Sequence, residues 1–181
     1  PFAAFHAMTD LFQQELTKNS GQISLARSMA ELQANRDAGR LSAFLTLEEG
    51  GALEGRMENL YQAHERGVRL ITLTWNYPNE IGYPNHEWTH QHQGLTGFGR
   101  DLVAEMNRLG MIVDVSHLSD QGFYDVAQFS DRPFVASHSN ARTITGHSRN
   151  LTDEMIRLLA EKGGITGLNF CHAFLGDDPD T

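Results

Sequence analysis

Cysteine is almost absent from this sequence, since Cys171 is the only one among 181 residues. A single thiol excludes an internal disulfide framework and a metal site built from several cysteines. Long apolar runs are missing as well, because no stretch reaches the roughly 18 consecutive apolar residues that a membrane-spanning helix needs. The sequence therefore predicts no membrane segment in this chain and no disulfide-dependent scaffold.

Basic residues are also scarce, with 14 Lys and Arg against 23 Asp and Glu and a net charge of −9. This balance argues against a nucleic-acid partner, because phosphate binding needs a basic face. The length fits one domain, which we place at 1–181. The chain begins at Pro1 without a secretion-signal pattern, which favours the cytoplasm, although the true N-terminus that would decide export is not present.

Strand patterns alternate with helix patterns along most of the chain. Apolar, β-branched runs predict strands at 41–47, 68–74, 111–115, 133–137 and 165–170. Amphipathic patterns with capping and stop signals predict helices at 7–19, 28–38, 55–66, 98–109, 119–129 and 152–162. Such alternation indicates an α/β fold with a parallel sheet, either open and doubly wound or closed as a barrel.

Residues capable of chemistry follow the predicted strands, each near a strand's carboxyl end: Glu49, Trp75, Asn76, His117, His138 and Asn169. Catalytic groups of (β/α)8 barrels occupy this position on several different strands. A doubly wound sheet would concentrate its site at one switch point and would usually carry a glycine-rich phosphate loop, which we do not find. We therefore favour a (β/α)8, TIM-type barrel.

Strand alternation narrows the choice among these residues. If strand geometry persists, Glu49, His117 and His138 each extend an apolar row at the mouth of the barrel. Glu48 then falls on the other face and is the weaker candidate, and Asp114 is expected to be structural or to support a ligand. Two imidazoles and a carboxylate form a plausible zinc-ligand set. The alternative is that Glu49 forms an ion pair and the histidines satisfy local hydrogen bonds.

Several ordered motifs resemble the membrane dipeptidase (renal dipeptidase) family of zinc metallopeptidases, in a bacterial version. They are E-G-G at 49–51, L-I-T-L-T-W-N at 70–76, G-L-T-G-F-G-R at 94–100, M-N-R-L-G-M-I-V-D-V-S-H at 106–117, V-A-S-H-S-N-A-R at 135–142, R-N-L-T-D-E at 149–154 and G-G-I-T-G-L-N-F at 163–170. The resemblance implies a metallo-dependent hydrolase barrel that cleaves free dipeptides, with two zinc ions in the complete active site.

The resemblance also assigns roles to individual residues. Glu49 would bridge the two zinc ions and act in catalysis, and His117 and His138 would be ligands of the second zinc. Arg149 would bind the carboxylate of the substrate's C-terminal residue. Trp75 stands where some members carry a substrate-contacting histidine, and Asn76 is a candidate donor in its place. A hydroxide held between the metals would attack the peptide carbonyl.

Two departures from the family stand out. The opening His-x-Asp pair is absent, since His6 is followed by Ala7 and Met8, and the later D-F-D-G-type motif is missing. A full barrel needs roughly 250 residues, so we expect the internal part of a barrel, in which the first zinc site is only partly encoded. Whether this part is active alone stays open. The family resemblance implies a homodimer. Dipeptide side-chain preference, D or L selectivity and β-lactam cleavage stay open.

Three other interpretations compete. His86-Glu87-Trp88-Thr89-His90 spells the H-E-x-x-H motif of zincins, but glycine and proline flank it and leave little room for a helix. We expect a polar loop over the barrel mouth, whose two histidines can be replaced with little loss of peptidase activity. The chain could instead be a non-catalytic module that binds peptide and metal, or a related barrel amidohydrolase that acts on another amide bearing a carboxylate.

Overall fold

The computed structural model describes residues 1–176 of the chain. Its helices are α1 to α6, in order Phe2–Lys18, Met29–Asp37, Met57–Glu65, Gly97–Leu109, Asp120–Phe129 and Asp153–Glu161. Its strands are β1 to β7, in order Ile23–Leu25, Leu41–Ala43, Leu45–Glu48, Val68–Thr72, Ile112–Asp114, Val135–Ala136 and Ile165–Thr166. Within this part of the chain, no helix combines the length and apolar character needed to cross a membrane.

The main sheet has five parallel strands in the order β3-β4-β5-β6-β7. Helices α3 to α6 connect successive strands, and α4 packs on α5, which packs on α6. Neighbouring crossover helices therefore lie side by side on one face of the sheet. In a (β/α) barrel, each new strand lies next to the preceding one and all the helices cover one face of the sheet. In a doubly wound sheet, the strand order reverses at one point. The predicted barrel class is confirmed.

The first part of the chain differs from the prediction. The predicted strand at 41–47 is two strands, because the pairing breaks at Phe44: β2 pairs with β1 in a separate two-stranded sheet, and β3 pairs with β4 in the main sheet. β1 was not predicted, since three residues are too few to show a period. Helix α1 begins at Phe2, five residues before its predicted start, and covers the core with Phe2 and Phe5.

Capping residues lie at the ends of several helices. Ser28, Thr96, Ser119 and Thr152 each accept a hydrogen bond from a backbone N–H of the following first turn. Such side-chain acceptors satisfy donors that the helix itself leaves free. Gly110 ends α4 in the left-handed region, at φ 69°. These local signals mark the starts of α2, α4, α5 and α6 and the end of α4.

Candidate metal centre and its pocket

Three side chains converge at the carboxyl ends of neighbouring strands. Glu48 is the last residue of β3, and His117 and His138 lie two or three residues beyond β5 and β6. The Nε2 atoms of the two histidines are 3.0 Å apart, and Glu48 Oε1 lies 3.3 Å from His117 Nε2 and 3.5 Å from His138 Nε2. One ligand atom from each residue therefore lies within 4.8 Å of the other two.

The carboxylate beside the two histidines in this structure is that of Glu48, whereas the sequence predicts Glu49. Leu45 and Leu47 pack against the core beneath the helices, so the opposite face of β3 carries Glu48. Strand geometry then ends, because Glu49 has a left-handed φ of 87° and begins a short helical turn at Gly50. Glu49 Oε1 accepts hydrogen bonds from Gly51 N at 2.7 Å and from Asn79 Nδ2 at 2.6 Å.

The two histidines are predicted candidates that the structure does bring together. His117 is 6% exposed, and its pKa is lowered to about 3. Burial is the main cause, and the nearby positive charge of Arg149 and the ring of His138 add to it, while the carbonyl of Trp75 opposes it. His117 is therefore neutral at physiological pH, which is the form that binds a metal ion.

Asp114 lies beneath this centre and is completely buried. Its Oδ2 accepts from Thr72 Oγ1 at 2.7 Å and Ser137 Oγ at 2.6 Å. Its Oδ1 accepts from Ser116 N at 3.1 Å, Ser116 Oγ at 2.8 Å and Ser137 N at 2.9 Å. With five donors, the carboxylate has no free position toward a metal, so its place is structural.

Arg149 is the predicted substrate-binding cation, and it is only 4% exposed. Its Nη1 donates to the carbonyl oxygen of Ser116, the residue before His117, and its Cζ lies 5.5 Å from the centre of the Phe174 ring. Burial lowers its pKa to about 10, and the charges of Asp114 and Glu48 oppose that shift. Arg149 is therefore a cation at neutral pH, fixed beside the two histidines.

A cavity of about 620 Å³ is lined by His117, His138 and Arg149 together. Its lining is mostly polar or aromatic: Asn76, His86, Glu87, Trp88, His117, His138, His147, Ser148, Arg149, Asn169 and Phe174. Of the predicted substrate-contacting pair, Asn76 lines the cavity. Trp75 is 43% exposed, with its ring centre 6.4 Å from that of His117. The volume is of the size that small-molecule sites commonly have.

The H-E-x-x-H segment is not a zincin helix. Only 86–88 form a short helical turn, and Glu87 and Trp88 have positive φ angles of 53° and 62°. His90 turns away from the cavity, with its Nδ1 2.5 Å from Gln93 Oε1. His86 does line the cavity, and the backbone N–H of Asn85 beside it donates to the carbonyl of His117 at 2.9 Å. The loop is thereby attached to the segment that carries a histidine of the centre.

Some residues that line the cavity are not among those that the sequence predicts. His147 and Ser148 come from a loop, and Phe174 ends a short helical turn at 172–174. Nothing in their local sequence indicates a site. Glu48 did have a signal. Gly50 and Gly51 mark a turn directly after Glu49, so the alternation of β3 could not be extended through that residue.

The donor set suits a divalent transition metal. Ligand atoms about 2.0–2.1 Å from one tetrahedral zinc ion lie about 3.3 Å apart. The separations of 3.0, 3.3 and 3.5 Å among the two imidazole nitrogens and the carboxylate oxygen match that spacing. Imidazole and carboxylate ligands together are typical of zinc and related ions.

The chain is similar to several known proteins. Residues 2–181 match the sequence model of the membrane dipeptidase family, Peptidase family M19. An uncharacterized protein in the pqqA 5′ region of Klebsiella pneumoniae is 34% identical over 174 residues, covering 93% of this chain and 64% of the relative. An uncharacterized dipeptidase of Schizosaccharomyces pombe is 35% identical over 144 residues, covering 78% of this chain and 35% of the relative.

A similar solved structure is a metallo peptidase from Rhodobacter sphaeroides, liganded with a phosphinate mimic of the dipeptide L-Ala-D-Ala. The two structures share a TM-score of 0.83 and 34% sequence identity, over 93% of this chain and 49% of that one. The chain thus spans about half the length of that structure, and the five parallel strands correspond to part of its barrel.

Proposed function

This chain belongs to the membrane dipeptidase family, Peptidase family M19, and on that premise we propose that its site serves zinc-dependent hydrolysis of the peptide bond in free dipeptides. One observation carries the proposal: Glu48, His117 and His138 converge at the edge of a cavity that also holds the buried cation Arg149. A metal-ligand set beside a fixed cation suits a substrate with a hydrolysable carbonyl and a free carboxylate.

Glu48, His117 and His138 would hold the zinc ion. When bound, zinc supplies polarisation of the scissile carbonyl and lowers the pKa of water to about 7, as in known zinc enzymes. The chain's contribution is to keep His117 neutral through burial and to bring the three donor atoms together before a metal arrives. Little reorganisation is then needed on binding.

Arg149 would bind and orient the substrate. A guanidinium presents its donors in a planar fork that matches a carboxylate, and burial strengthens such a pair. One of its donors is engaged by the carbonyl of Ser116, which holds the group beside the cavity. A dipeptide held by its C-terminal carboxylate would thus place its single peptide bond toward the metal ligands, which is a positioning effect. Asn76 on the cavity wall is a candidate donor to the substrate backbone.

The direct test uses the 181-residue chain and any longer protein that contains it. Each is depleted of metal, titrated with zinc, and assayed on dipeptides with a free C-terminal carboxylate and on the same dipeptides as C-terminal amides. We expect zinc-dependent hydrolysis that strongly favours the free carboxylate. Zinc binding without hydrolysis in both proteins would replace the proposal with a peptide-binding and metal-binding module. Equal rates on the amides would indicate an amidohydrolase with another substrate class.

A further inference from the structure

Ser137 lies between a buried carboxylate and one of the proposed metal ligands. Its Oγ is 2.6 Å from Asp114 Oδ2 and 2.7 Å from His138 Nδ1. Ser116 Oγ is a third neighbour at 3.1 Å. A serine hydroxyl carries only one hydrogen, so it can donate to one of these atoms and must accept from, or merely adjoin, the others.

The direction of each hydrogen bond follows from counting protons. A carboxylate accepts and does not donate, so the short contact with Asp114 Oδ2 requires the hydrogen of Ser137. The neighbouring hydroxyl of Ser116 gives its own hydrogen to Asp114 Oδ1 at 2.8 Å. Ser137 Oγ is then left as an acceptor toward His138, and Nδ1 of His138 must carry the proton. The opposite direction would set two oxygen lone pairs against each other at 2.6 Å.

A neutral imidazole that carries its proton on Nδ1 has its lone pair on Nε2. Nε2 is the atom of His138 that lies 3.0 Å from His117 Nε2 and 3.5 Å from Glu48 Oε1. We propose that Ser137, held by Asp114, is a positioning residue that fixes His138 in the Nδ1-protonated tautomer and so keeps Nε2 ready to bind the metal. The inference rests on the proposed function for its biological meaning, but the tautomer is a property of the metal-free chain.

The backbone around Ser137 gives this arrangement its rigidity. Ser137 N also donates to Asp114 Oδ1 at 2.9 Å, and the N–H of His138 donates to Ser116 Oγ at 3.0 Å. Hydrogen bonds from both sides thus hold the Ser137–His138 peptide. Partners of this kind orient metal-binding histidines in many proteins, and their loss typically weakens metal binding about 10-fold to 100-fold.

The experiment reads the tautomer and the metal affinity separately. Nitrogen NMR of the metal-free 181-residue chain assigns the protonated ring nitrogen of His138, and calorimetry measures zinc affinity. We expect Nδ1–H in the unmodified chain, loss of that preference in Ser137→Ala with roughly 10-fold to 100-fold weaker zinc binding, and recovery of both in Ser137→Thr, which restores a hydroxyl.

Ser139→Ala is the matched control. Ser139 adjoins His138 on the other side and is buried, but its hydroxyl makes no hydrogen bond to any described residue. We expect this variant to keep both the tautomer and the zinc affinity. An Nε2–H tautomer in the unmodified metal-free chain would overturn the inference, as would a Ser137→Ala chain with unchanged tautomer and affinity. If the tautomer is as stated but the unmodified chain binds no zinc, the proposed function fails and the positioning role of Ser137 stands.

Discussion

Glu48 and Glu49 are adjacent in the chain, yet their carboxylates serve different parts of the molecule. Glu48 Oε1 lies 3.3 Å from His117 Nε2, whereas Glu49 Oε1 accepts hydrogen bonds from Gly51 N and Asn79 Nδ2. Asn79 in turn donates to the carbonyl of Leu73 and accepts from Ile81 N. Glu49 therefore helps to fold the loops after β3 and β4, and Glu48 faces the histidines.

This pair gives a matched comparison of isosteric variants. Glu48→Gln should weaken zinc binding by more than about 100-fold, because it removes a ligand rather than a supporting residue. Glu49→Gln should leave zinc affinity within a few fold and lower the free energy of unfolding by about 1 kcal/mol, because it weakens charged hydrogen bonds. Calorimetric zinc titration and urea unfolding measure the two effects. The reverse pattern would restore Glu49 as the metal ligand.

Arg149→Lys tests recognition of the substrate carboxylate. Lysine keeps the charge but lacks the planar fork, so kcat/KM for free dipeptides should fall by roughly 10-fold to 100-fold, the equivalent of one or two charged hydrogen bonds. For dipeptide amides the fall should be much smaller, because that contact is already missing. Steady-state kinetics on both substrates provide the measurement, and equal losses on the two would remove the assigned role.

Burial of His117 should make the metal-free chain sensitive to acid. Its pKa is about 3 in the folded chain and near 6.5 when exposed. At pH values between these two, the unfolded chain binds a proton on His117 that the folded chain does not bind. The contribution of His117 to the free energy of unfolding is therefore fully present above about pH 6.5 and is lost as the pH falls toward 3. The slope from this one residue is at most about 1.4 kcal/mol per pH unit.

Urea unfolding of the metal-free chain from pH 7 to about pH 4 measures that slope, and His117→Asn supplies the comparison. The variant should be less stable at neutral pH, and its stability should fall less steeply with acid. Parallel curves for the two proteins would show that His117 is not held neutral by burial.

The two histidines of the H-E-x-x-H segment should behave differently. His86 lines the cavity and its loop is tied to the carbonyl of His117, whereas His90 contacts Gln93 outside the cavity. We expect His86→Gln to raise KM for dipeptides roughly 3-fold to 10-fold, the equivalent of one neutral hydrogen bond. His90→Gln should leave both kinetic constants unchanged. A large loss of kcat or of bound zinc in His90→Gln would favour the zincin interpretation.

Much of the fold could be read from the sequence because its signals are local. Caps such as Ser28 and Thr152 and the stop at Gly110 mark the helices, and the β-branched run at 68–74 marks a strand. The order of the strands and the end of the sheet that carries the chemistry follow from the alternation itself. Short elements such as β1 leave no period to detect, so they were missed.

The choice between Glu48 and Glu49 could not be made by the same logic. Alternation states that two neighbours face opposite ways, but it does not state which face of β3 the helices cover. Leu45 and Leu47 were expected to face the barrel interior, and in the structure they pack against the core on the other side. His147 and Phe174 reach the cavity from loops far along the chain, and only the folded chain brings them there.

Asp114 draws hydrogen bonds from Thr72 of β4, Ser116 beyond β5 and Ser137 beyond β6, and so ties three strand ends to one buried group. Selection for chemistry and selection for folding therefore act on the same side chain. A descendant that had lost its hydrolytic activity would still need this aspartate to stay folded. Conservation of Asp114 in such a lineage would reflect its role in folding. Conservation or loss of Glu48 would show better whether catalysis had persisted.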